Sequence, residues 1–118
     1  LGGGMRQAGI LAAAGTYALA HHLARLRDDH ENARQLASLL SKIAGLRCDP
    51  AATPTNIVLA DVALPGGASA LVEAAKAQGV LVNAVNPTRI RLVTHLDVPG
   101  TAISLAADRL ARAAAQLR

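Results

Sequence analysis

Apolar and polar positions along the chain change period several times. Leu19, Leu23 and Leu26 recur at i, i+4 and i+7, and the surrounding sequence predicts a helix from about Met5 into the Leu23–Arg27 region. Its first half, from Ala8 through Gly15, is apolar nearly all round, which predicts burial on most sides. Gly9 and Gly15 lower helix propensity, so they are expected to mark close helix contacts. A second helix is predicted from a cap at Asp28 or Asp29 to about Ile43, with Ala33, Leu36, Leu40 and Ile43 as its buried stripe. Gly45 is a natural stop. After a loop with two prolines, Pro50 and Pro54, β-branched Ile57 and Val58 mark a strand over Asn56 to Val62. Pro65-Gly66-Gly67 predicts a turn, Ala68 to Gln78 a short helix closed by Gly79, Val80 to Val82 a short strand, and Asn83 to Thr88 a loop. Arg89 to Thr94 is the clearest strand. Pro99-Gly100 precedes a last helix to about Leu117, whose apolar face is Ile103, Ala106, Leu110, Ala113 and Leu117. The order of elements predicts an α/β fold of the α+β two-layer kind, a short, mainly antiparallel sheet with helices on one face.

Alternation on the Arg89 to Thr94 strand separates two faces. Ile90 and Leu92 suit the core, whereas Arg89, Arg91, Val93 and His95 point away from it. Composition adds a constraint on size. Hydrophobic residues make up 52% of the 118 and charged residues 17%, but the apolar side chains are mostly Ala, Leu and Val, and Tyr17 is the only aromatic residue. Small side chains bury little area each, so much of the apolar surface is expected to need a partner. A start at Leu1 rather than Met agrees with a piece of something longer. The net charge of +4 suits an anionic ligand. The charge would suit a nucleic acid as well, but the bases of single strands stack on aromatic side chains, and a chain with Tyr17 alone argues against that partner. Cys48 is the only cysteine, which leaves no internal disulfide and points to a reducing compartment, the cytoplasm; beside Arg47 it is read as an inert thiol. The apolar run from Ala8 to Ala20 falls short of the roughly 20 residues that span a bilayer, so no membrane partner is expected. His21, His22 and His30 have no partners at ligand spacing, and no metal site is expected.

Three segments resemble one family when taken together. Leu1-Gly2-Gly3-Gly4-Met5-Arg6-Gln7-Ala8-Gly9-Ile10-Leu11-Ala12-Ala13-Ala14-Gly15 is similar to the stretch that follows the cofactor lysine in low-specificity L-threonine aldolases. Thr55-Asn56-Ile57-Val58 resembles their Thr-Asn-apolar strand, and Arg91-Leu92-Val93-Thr94-His95-Leu96-Asp97-Val98 their late strand and the turn after it. The resemblance implies the small C-terminal domain of a fold type I enzyme whose cofactor is pyridoxal 5'-phosphate. Such enzymes cleave L-threonine or L-allo-threonine to glycine and acetaldehyde. It further implies a linking helix over residues 1–28, a small domain over residues 29–118, an N-terminal cofactor domain as partner, and a homo-oligomer, a tetramer, with sites at subunit interfaces. The family's Schiff-base lysine belongs to a Ser-Lys-Gly segment that neither Lys42 nor Lys76 matches. No catalytic residue is therefore assigned to this chain, which is expected to be inactive by itself.

Two arginines carry the expected binding roles. By resemblance, Arg91 holds the substrate carboxylate, for which a planar guanidinium offers a bidentate fork. Arg6, read as standing at the start of a helix after the glycines, is expected to approach the cofactor phosphate, where free backbone N–H groups favour an anion. Arg89 is read as a surface arginine, His95 as a structural residue that hydrogen-bonds a loop, and Asp97 as a turn or cap residue. Asp108, Arg109 and Arg112 are read as a solvated helix face. The competing reading is a non-enzymatic small α/β module that binds an amino acid or anion.

Overall fold

A strand whose side chains alternate must bury one face, and in Arg89 to Val93 that face is Ile90 and Leu92. The computed structural model describes residues 3–118; Leu1 and Gly2, the first two positions of the glycine-run segment, lie outside the described residues. Helix α1 spans Gly9–His21, α2 Leu26–Leu40, strand β1 Leu46–Arg47, a 3-10 turn Pro50–Ala52, β2 Ile57–Val62, α3 Gly67–Ala77, β3 Asn83–Asn86, β4 Arg89–Val93 and α4 Gly100–Gln116. The four strands form one fully antiparallel sheet in the order β1-β2-β4-β3. Val58, Ala60 and Val62 of β2 join Ile90 and Leu92 of β4 on the buried face. Helices α2 and α3 lie against the sheet, and α4 lies against both of them. The two-layer α+β expectation is met.

The helices form where apolar residues return at helical spacing. In α2, Ala33, Leu36, Ala37 and Leu40 are buried, while Ile43 is only half-buried beyond the helix end. Asp28 and Asp29 do not cap α2. The helix begins earlier, because the Arg25 guanidinium clasps Asp29 one turn on, at 3.1 and 2.9 Å, and both carboxylates sit in the first turn, where the helix dipole favours them. In α4 the buried stripe is Ile103, Ala107, Leu110, Ala113 and Ala114. It is rotated from the expected one, leaving Ala106 and Leu117 half-buried, because α4 faces two helices rather than a flat sheet.

Three local expectations are corrected. The first helix stops at His21, a turn follows, and every residue of α1 is exposed rather than buried. A Cβ added at Gly9 or Gly15 would meet nothing within 4 Å, so neither glycine marks a helix contact within this chain. Asn83 to Thr88 is not a loop and Val80 to Val82 is not a strand: Asn83–Asn86 pairs with β4 across a tight turn at Pro87 and Thr88. The Asn86 side-chain oxygen accepts from the Thr88 N–H at 2.9 Å and its hydroxyl at 3.2 Å, which closes the hairpin. An edge strand exposed along its whole length shows no alternation from which to read it. The two-residue strand β1 was also unforeseen.

The hairpin turn meets the start of α3. Ala68 N–H donates to Pro87 O at 2.8 Å, and Gly67 lies in the left-handed region at φ +64°, where an added Cβ would collide with that same oxygen. A side chain at this position meets strain and backbone together. Gly67→Ala is expected to destabilise the fold by about 1–3 kcal/mol, read as a lowered urea midpoint at unchanged slope.

Candidate functional site

The outward face of the sheet has no helix over it among the described residues. Along β2 and β4 it presents Ile57, Leu59 and Asp61 beside Val93, Arg91 and Arg89, in register. The two arginines differ in their surroundings. Arg89 stands opposite Asp61 and donates to its carboxylate at 2.7 Å. That bond, with the charges of Arg89 and Arg47 nearby, holds the Asp61 carboxyl below the usual carboxylate range and raises Arg89. Arg91 stands between Leu59 on one neighbour and Asn83 on the other. It makes no ion pair or side-chain hydrogen bond among the described residues, and its exposed fork is free for an anion. Arg89, Asp61 and Arg47 line a shallow cavity of about 210 Å³ with Leu59 and Thr53; Arg91 does not line it.

The strand that carries Arg91 is anchored at its end. Thr94 is 1% exposed, and its hydroxyl donates to Asp29 O of α2 at 2.7 Å. Thr94 N–H donates to Asn56 O at 3.0 Å, and the Asn56 amide donates back to Thr94 O at 2.8 Å. Two segments quoted for the family resemblance thus meet in space through Asn56 and Thr94. This link was not foreseen from the sequence, where nothing shows which loop residues a strand end touches.

The other expected residues are dispersed. Arg6 does not start a helix: it lies in an exposed turn three residues before Gly9, and Gln7 adopts φ +51°. Neither Arg6 nor Arg91 lines the cavities beside Arg109, Asp61 or Lys42. His95 Nδ1 accepts from Asp97 N–H at 3.2 Å in the turn after β4, a loop-bracing geometry. Cys48 donates to Leu59 O at 3.2 Å, and burial together with Asp49 and Asp61 pushes its thiol above the ordinary range, the opposite of activation. Lys42 is exposed just beyond α2, and Lys76 is exposed on α3. Both belong to the helical side of the sheet. No group of three or more metal-binding side chains occurs among the described residues, and no helix there is long and apolar enough to cross a membrane.

The sheet, its helical cover and the anchored arginine strand define a small α+β domain of a kind found in pyridoxal-phosphate enzymes. The complex of the cystine C-S lyase C-DES with cysteine persulfide superposes with a TM-score of 0.68 at 22% identity, over 88% of this chain and 28% of that one. The α-aminoadipate aminotransferase of Thermus thermophilus superposes with a TM-score of 0.65 at 18% identity, over 85% of this chain and 28% of that one. These likenesses concern the fold alone.

A family model described as beta-eliminating lyase matches residues 1–63, and the chain belongs to that family. It is 50% identical over 97 residues to the low specificity L-threonine aldolase of Escherichia coli (strain K12), covering 82% of this chain and 27% of the relative. It is 44% identical to the probable low-specificity L-threonine aldolase 2 of Arabidopsis thaliana, covering 80% of this chain and 27% of that relative. The chain therefore spans about a quarter of the length of these curated relatives.

Two measurements probe the electrostatics and the anchor. Because the folded Asp61 carboxyl is held low, its contribution to stability is present above the unfolded pKa and is lost as pH falls through the folded one. An NMR titration of the Asp61 carboxylate is expected to find it ionised below the usual range, and in Arg89→Gln to return toward that range. Thr94→Val removes the hydroxyl bond to Asp29 O, which keeps its place in the α2 ladder, and is expected to cost about 0.5–1.5 kcal/mol in urea denaturation.

Proposed function

We propose that this chain is the small C-terminal domain, residues 29–118, with its linking helix, residues 1–28, of a pyridoxal-phosphate-dependent aldolase that cleaves L-threonine or L-allo-threonine to glycine and acetaldehyde. The observation that carries this is the free Arg91 fork on the open sheet face, beside an arginine of the same strand that is neutralised by Asp61. The 50% identity to a threonine aldolase of Escherichia coli supports the substrate class.

The residues present suit the anionic ends of such a reactant. Arg91 and Arg6 are exposed guanidiniums with no carboxylate partner among the described residues, the chemistry that a carboxylate and a phosphate require. Bound pyridoxal phosphate supplies an electron sink for the pair released when the Cα–Cβ bond breaks. Arg91 receives the substrate carboxylate on both nitrogens of its fork and so fixes the direction of the Cα–Cβ bond. Arg6 meets the phosphate, from its own subunit or a neighbour's. Leu59 and Val93, the apolar neighbours of Arg91, exclude water once the face is covered, which strengthens the ion pair. Lys42 and Lys76 stand on the far side of the sheet, so the amine that holds the cofactor comes from elsewhere and the 118 residues alone are inactive. The exposed apolar helix α1 fits a seat against a cofactor domain and a neighbouring subunit in a homo-oligomer, a tetramer. The lone thiol of Cys48 agrees with the cytoplasm.

In the intact protein, Arg91→Lys is expected to raise KM for L-threonine by about 10- to 100-fold, because a point charge replaces a bidentate fork. Acetaldehyde release measures it. Unchanged kinetics would remove Arg91 from the site. Amino-acid binding without acetaldehyde would favour a module that only binds.

A further inference from the structure

Strand β4 outruns its edge neighbour. β3 pairs with it only as far as Asn83 opposite Arg91, so Leu92 and Val93 have no partner strand on that side. Beside them lies a half-open cavity of about 240 Å³, lined by Val80 and Leu81 from the segment before β3 and by Ile103 and Ala106 of α4. Most of the side chains that line it are aliphatic. Thr94 contributes a hydroxyl, but that group is already committed to Asp29 O.

One charged side chain borders this cavity. Arg109 is half-buried, and its Nη1 lies over the backbone at Gly79, where an added Cβ would stand 3.1 Å away. Arg109 makes no ion pair or side-chain hydrogen bond among the described residues, whereas Arg25, also half-buried, is clasped by Asp29. A partly desolvated cation without an acceptor is costly and favours an anion. A backbone donor points the same way. Thr94 N–H bonds toward β2, so the alternation of an antiparallel ladder turns Val93 N–H to the opposite side, where β3 has ended. No acceptor for it is found among the described residues. Arg109 therefore does not belong to a solvated helix face, as its place in the sequence suggested, because the segment at Gly79 covers it.

We infer that this cavity binds a short-chain aliphatic monocarboxylate, its tail among Val80, Leu92, Ile103 and Ala106 and its carboxylate on the Arg109 fork. The volume lies below the roughly 300–1,000 Å³ of sites for drug-sized ligands, which limits the tail to a few carbons. A planar fork selects a carboxylate over an uncharged head of the same length. Arg91 does not line the cavity, so this site is separate from the proposed substrate face.

The test is calorimetric titration of the intact protein with hexanoate, and with hexanol as the uncharged counterpart. Hexanoate is expected to saturate one site per chain and to bind about tenfold tighter than hexanol. Arg109→Gln is expected to erase that preference while leaving hexanol unchanged, and Ala106→Phe, which fills the cavity, to abolish both. Arg91→Gln is expected to leave the hexanoate titration unaltered. Three results overturn the assignment: a preference for hexanoate over hexanol that survives Arg109→Gln, binding lost in Arg91→Gln instead, or no binding to the intact protein because its own chain or a partner fills the cavity.

Discussion

One buried hydroxyl fixes the geometry on which the rest depends. Thr94 directly follows β4 and donates to the backbone of Asp29, a residue held in place by its own ion pair with Arg25. Helix α2 and strand β4 are far apart in sequence, and this bond ties the start of one to the end of the other. Asn56, just before β2, completes the clasp by exchanging two hydrogen bonds with Thr94. A buried donor has no water to fall back on, so such a link specifies one register where apolar packing alone tolerates slippage. A slip of one residue would turn Arg91 into the core and Leu92 out of it.

The division of labour on β4 follows from that register. Its inner face, Ile90 and Leu92, fills a core built largely from Ala and Leu, and the small residues let α2, α3 and α4 crowd together. Its outer face is kept polar at two positions, and only one of the two charges is neutralised. Asp61 takes Arg89 out of play, because a guanidinium already holding a carboxylate gains little from a second. Arg91, flanked by Leu59 and Asn83, keeps its donors. The same strand end shapes the cavity beside Arg109, since β4 must extend past β3 to reach Asn56 and Asp29.

Much of this was legible in the residues. β-Branched Ile57 and Val58 marked one central strand, and alternation from Arg89 onward separated Arg91 from the core on the other. Helical spacing located α2, α3 and α4 within a few residues. The edge strand β3 was not legible, because a strand exposed along its length has no apolar face, and its asparagines look like turn residues. The tie between Asp61 and Arg89 needs the pairing register, which no local pattern carries. The burial expected for α1 failed for a different reason: an all-round apolar helix states that it must be covered, but not by what.

That helix sharpens the functional argument. An isolated helix of 13 residues is marginal in water even with good propensity, and α1 carries two glycines and exposes Ile10, Leu11, Tyr17 and Leu19. Its persistence requires a surface to lie on. The open sheet face makes a similar demand, since Ile57, Leu59 and Val93 are apolar and exposed around Arg91. A guanidinium in open water gains little from a carboxylate, and the same pair under an apolar cover gains far more. The cover that would stabilise α1 and the sheet is therefore also what would turn Arg91 from a surface charge into a recognition element.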